Sequence, residues 1–91
     1  MRKLKETVAA LGRKGFQKRE GRDYNFRYHA QDGTVSAIRT RVPKGRGDLQ
    51  PWEVRGLQKD LGLTQAELLD LIDCPLTREA FESIQRRNGR L

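Results

Sequence analysis

The stretch Asp23-Tyr24-Asn25-Phe26-Arg27-Tyr28-His29 sets aromatic side chains at every second position, with Asn25, Arg27 and His29 between them. A period of two is that of a strand with one buried face, so the aromatics belong to a core and the polar residues to an open surface. Asp32-Gly33 supplies a hairpin turn behind it, after which Ser36, Ile38, Thr40 and Val42 alternate with Ala37, Arg39 and Arg41. Ahead of it, Phe16 to Glu20 reads as a short strand closed by a charged turn at Gly21 and Arg22. These segments predict a three-stranded antiparallel meander whose second and third strands project arginines from the same face.

Helices are expected on both sides. Leu4, Val8 and Leu11 fall on one stripe at helical spacing between Arg2 and Lys14, and Gly12 and Gly15 suit the end of that helix. After a basic loop, Pro43 to Gln50, Pro51 stands where a first helical turn leaves its amide unpaired anyway; Val54, Leu57 and Leu61 then make a stripe that Gly62 closes. Thr64 and Glu67 form a capping box for a third helix carrying Leu68, Leu69, Leu71 and Ile72, which Cys74-Pro75 ends. Thr77 caps a last helix with Phe81 and Ile84, and Gly89 can finish it. The class is α+β: α-β-β-β-α, in the order of a double-stranded-RNA-binding-like fold, plus a C-terminal helical hairpin. Residues 1–63 are expected to form the core and 64–91 an extension of the same domain.

Ninety-one residues suffice for one ordinary domain. A single Cys74 and a single His29 exclude an internal disulfide and a Cys/His zinc site, so neither metal nor cofactor is expected. Apolar runs are too short for a membrane span, and the basic N-terminus has no hydrophobic region behind it, which makes the cytoplasm the expected location. The net charge of +7 is uneven: residues 1–47 hold thirteen Lys/Arg against four Asp/Glu, and residues 48–91 six against eight. Thirteen of the nineteen cations are arginines. Arginine's planar fork grips phosphate through two hydrogen bonds and stacks on bases, so the bias favours nucleic acid, and a membrane surface is disfavoured because the basic residues do not fall on one long helix with a broad apolar face.

The chain resembles the HicA mRNA interferase toxin family (YcfA-like), in its longer form with a C-terminal helical extension. The resemblance rests on Gly15-Phe16, Gly21-Arg22-Asp23-Tyr24-Asn25-Phe26, Asp32-Gly33, Ile38-Arg39-Thr40, Leu61-Gly62-Leu63 and Ile72-Asp73-Cys74-Pro75-Leu76-Thr77. It implies a toxin of a toxin–antitoxin pair that folds like a double-stranded-RNA-binding domain, cleaves RNA as a metal-independent endoribonuclease, and is neutralised by a HicB-like antitoxin protein. Where active members of that family place a His at the entry to strand two, this chain has Asp23 or Tyr24. Cleavage needs a base for the ribose 2′-OH, an acid for the leaving oxygen and cations for the phosphorus transition state; imidazole suits the first task, a phenol or a surface carboxylate does not.

The candidate catalytic residues are therefore His29, displaced along the strand, with Tyr24 and Asp23 at the family position, and whether the chain is an enzyme stays open at this point. The candidate phosphate contacts are Arg22, Arg27, Arg39, Arg41, Lys44 and Arg46. The competing readings are a catalytically inactive binding module docking a protein partner, and a small DNA-binding protein using Arg55, Gln58 and Lys59 of the second helix. Arg46-Gly47-Asp48 reads as a flexible turn, Cys74 as a buried hinge, and Trp52 as packing or anchoring the second helix, an exposed Trp being a good interface hot spot instead.

Overall fold

The computed structural model describes residues 2–73 and 75–91, so the expectation for Cys74 lies outside the described residues. Helix α1 spans Leu4–Arg13, strands β1, β2 and β3 span Phe16–Glu20, Tyr24–His29 and Val35–Val42, and helices α2, α3 and α4 span Pro51–Leu61, Gln65–Asp73 and Arg78–Arg87. The described residues are thus α+β: one N-terminal helix, a three-stranded antiparallel sheet in the order β1-β2-β3, and three C-terminal helices.

Alternation fixes which side of the sheet is buried. Phe26 and Tyr28 of β2 and Ser36, Ile38, Thr40 and Val42 of β3 are buried, while Asn25 and Arg27 and then Val35, Ala37, Arg39 and Arg41 are exposed. Helices α1 and α2 pack against this sheet, and the buried side chains Leu4, Leu11, Leu57 and Leu61 join the same core. The pairing of β2 with β3 shifts between Arg27 and His29. Ser36 fills that irregularity: its Oγ donates to the Tyr28 carbonyl at 2.9 Å and accepts from the Ile38 amide at 3.1 Å, which satisfies groups the ladder would leave unpaired.

The helix ends follow the sequence signals. Thr64 and Glu67 exchange capping hydrogen bonds of 2.9 and 3.1 Å, the Thr77 hydroxyl accepts from Ala80 N at 3.1 Å, Pro51 starts α2, and Gly62 ends it in the left-handed region. The hairpin between β2 and β3 closes through Gly33 N to the Ala30 carbonyl and Thr34 N to Asp32 Oδ1, both 2.9 Å.

The last helix shares the core. Phe81 of α4 stacks edge-on with Phe16 and tilts against Tyr28, with ring centroids 5.5 and 4.9 Å apart. Polar bonds stitch the same helix in place: Gln85 Nε2 donates to the Leu61 carbonyl at 2.7 Å, and Arg78 Nη2 to the His29 carbonyl at 2.6 Å. Leu68, Leu71, Ile72, Phe81 and Ile84 of residues 64–91 thus share one core cluster with the residues of 1–63. Among the described residues no helix is long and apolar enough to cross a membrane.

Candidate nucleic-acid interface

The sheet face turned away from the helices is built from the odd positions of β1 and β2 and their partners on β3. Ladder pairing puts Gln17, Arg27 and Arg39 in one row and Arg19, Asn25 and Arg41 in the next. Neighbouring strands lie about 4.8 Å apart and the two rows about 7 Å apart, so the backbones that carry the four arginines fall within roughly 12 Å. None of the ion pairs formed among the described residues reaches Arg19, Arg27, Arg39 or Arg41. No strand position on that face carries a carboxylate.

Arg27 directly opposite Arg39 is a like-charge cross-strand pair, which on its own destabilises a sheet. An anion between the two forks removes the repulsion and fills both sets of donors. The face also holds no Phe, Tyr or Trp: Phe16, Tyr24, Phe26 and Tyr28 all take the helix side, so the open side offers donors to a sugar-phosphate backbone and no aromatic platform for bases.

The six expected phosphate contacts separate into groups. Arg27, Arg39 and Arg41 share the open face. Arg22 is exposed in the β1–β2 turn at its end. Lys44 and Arg46 lie elsewhere: Lys44 Nζ pairs with Glu20 at 3.6 Å and sits 5.2 Å from the Tyr24 ring centre, and Arg46 lines a cleft against α1. Arg19 completes the patch and is not among the phosphate contacts expected from the sequence. Its signal was present, because a hairpin of β1 on β2 that buries Phe16 must turn Arg19 outward beside Asn25.

The catalytic candidates are not brought together. His29 lies half-buried along the same shallow depression as Gln17, Arg19, Arg27 and Arg39, with its backbone held by Gly15 and Arg78. Tyr24 begins β2, five residue steps and about 17 Å from His29, on the opposite face. Its ring lies beside the Lys18 ammonium at 4.7 Å. Asp23 stands beyond it, on a groove shared with Arg41, Trp52 and Asp60. One phosphodiester cannot meet His29 and either of the others at once.

Trp52 corrects the sequence expectation. It is 64% exposed rather than packed under α2, because it falls on the face of the helix that carries Arg55 and Lys59 and away from Leu57 and Leu61. The spacing of those residues already contained that answer.

A comparison with family models, with curated proteins and with solved structures finds no match.

Proposed function

We propose that this chain is a HicA-like, toxin-type RNA-binding protein, folded like a double-stranded-RNA-binding domain, that holds RNA by its phosphates on the open sheet face. Four guanidiniums without ion pairs among the described residues, on a face whose strand positions carry no carboxylate, support that reading. The element order α1-β1-β2-β3-α2, with both helices packed against the sheet, supports the fold likeness. A HicB-like antitoxin is the partner this reading carries with it. Cleavage would rest on His29 as base with Arg27 and Arg39 stabilising the crowded phosphorus, and no side-chain acid from the family position reaches the same phosphate. That separation favours a second reading, a module that binds without cutting.

Anisotropy of a labelled structured RNA, and of DNA of the same sequence, at several salt concentrations tests the proposal. Binding should weaken steeply with salt, and Arg39→Ala with Arg41→Ala should lower both the affinity and the salt slope, the latter by about two units. Affinity and slope left unchanged by the double variant would remove the sheet face from the interface, and preference for the DNA would move the chain to the DNA-binding alternative. With metals chelated, cleavage by the parent and not by His29→Ala identifies the nuclease; intact RNA with both identifies the binding module.

A further inference from the structure

A cleft on the helix side of the sheet, away from the arginine face, joins three separate segments. The first turns of α1 contribute Lys3, Leu4, Lys5 and Val8, the start of β2 contributes Tyr24, and the β3–α2 loop contributes Pro43, Gly45, Arg46 and Gly47. Its volume of about 460 Å³ is in the range of small-ligand sites. The walls are apolar, from Leu4, Val8, Pro43 and the Tyr24 ring, while Lys3, Lys5 and Arg46 supply charge and no lining residue is a carboxylate.

Cations converge further on the tyrosine. Lys18 and Lys44 hold their ammonium groups 4.7 and 5.2 Å from the Tyr24 ring centre, and the Tyr24 hydroxyl makes no hydrogen bond among the described residues. Lys5 and Arg46 enter no ion pair there either. The loop that carries Arg46 is fastened rather than loose: Leu4 N donates to the Gly47 carbonyl at 3.0 Å, Leu49 N to the Arg2 carbonyl at 2.7 Å, and Lys3 pairs with Asp48 at 3.3 Å. Walls fixed in advance spare a ligand the cost of ordering them.

We infer that this cleft binds a nucleotide, free or as the unpaired end of a nucleic-acid strand, with its base between Val8, Pro43 and the Tyr24 ring and its phosphate on Lys5, Arg46 and the Tyr24 hydroxyl. A bare inorganic anion has no use for four apolar walls, and an apolar ligand has none for the surrounding cations; a flat heterocycle joined to a phosphate uses both. Lysine contacts with a half-buried ring are weak enough for a stacking base to displace, and the Lys18 ammonium so released carries its charge to the phosphate while Lys44 stays paired with Glu20. This site is independent of the RNA reading of the sheet face.

The test is an NMR titration of the full chain with adenosine 5′-monophosphate, adenosine and inorganic phosphate in parallel. The nucleotide should give saturable shifts at Val8, Tyr24, Gly45 and Gly47, with adenosine and phosphate each at least about tenfold weaker. Tyr24→Leu should weaken the nucleotide about tenfold, and Arg46→Ala, at an exposed loop position, should weaken nucleotide and phosphate alike. Tighter binding of a duplex with a 5′-phosphorylated overhang than of the blunt duplex, with the difference lost in Tyr24→Leu, identifies a strand end, and equal binding of the two duplexes beside saturable binding of the nucleotide identifies a free nucleotide; both support the site. Shifts confined to Arg27 and Arg39, equal affinity for phosphate and nucleotide, or no response to Arg46→Ala would overturn it. None of these outcomes alters the Arg39/Arg41 salt-slope result, so the two proposals fail separately.

Discussion

At the scale of single residues, Tyr28 and Glu82 show how a buried polar pair is kept. The Tyr28 side chain is fully enclosed, and its hydroxyl donates to Glu82 Oε2 while Arg78 Nε donates to the same hydroxyl at 3.3 Å. Burial, reinforced by the bond to Glu82, pushes the phenol up to about 12. Burial pushes Glu82 upward as well, but the Tyr28 hydroxyl, the Gln31 amide, Arg86 and Arg78 outweigh it and hold the carboxyl below its ordinary value. The signs follow. A depressed carboxylate contributes stability above its unfolded pKa of about 4.3 that disappears as pH falls through the folded value. A raised phenol contributes stability below about 10 that disappears as pH climbs toward 12. Tyr28→Phe should cost about 2 kcal/mol at neutral pH, the worth of a hydrogen bond to a charged group, and should flatten the alkaline loss; Glu82→Gln should flatten the acid loss. Urea midpoints at pH 3.5, 7 and 11 check both, and parallel slopes for variant and parent would refute the assignment. No sequence pattern reveals this pair, because its members are separated by 54 residues and share no local period.

At the scale of elements, two glycines near the end of α1 play opposite parts. Gly15 has φ of +99°, and a Cβ there would lie 2.6 Å from Arg78 Nε and 3.0 Å from Tyr28 Cε1; Gly12 has no atom within 4 Å of such a carbon. Gly15→Ala should therefore destabilise by about 2 kcal/mol, through backbone strain and displacement of Arg78. Gly12→Ala, in an exposed helical turn, should stabilise by about 0.5 kcal/mol. Thermal unfolding of both variants decides the point, and equal effects would refute it. The helices and strands were legible because each carries its own short-range signal: alternation in β2 and β3, capping at Thr64 and Thr77, the stop at Gly62. The site was legible only where one strand displayed it. Arg27, Arg39 and Arg41 came from alternation, whereas Arg19 required the pairing of two strands, and the placement of Lys44 and Arg46 required knowing where a glycine-rich loop turns. Trp52 was misassigned by its chemistry although its helical position was readable.

At the scale of the whole molecule, charge is arranged against stability. The open sheet face gathers arginines, two of them directly opposed, while carboxylates are engaged elsewhere, Asp73 with Arg2, Asp48 with Lys3 and Glu82 with Arg86. Arg39→Gln should leave the fold as stable as the parent or more so by a few tenths of a kcal/mol, while RNA affinity falls. A loss of about 1 kcal/mol or more in thermal unfolding would mean that Arg39 has an internal task and is not offered to a ligand. The opposite, helix-covered side has a different dependence. Tyr28 and the His29 carbonyl are secured by Arg78 and Glu82, roughly fifty positions downstream. During synthesis the bonds to the Tyr28 hydroxyl and the His29 carbonyl therefore form only once α4 has emerged. While α4 is still inside the ribosome, the Tyr28 phenol must be enclosed with neither of the partners that satisfy its hydroxyl.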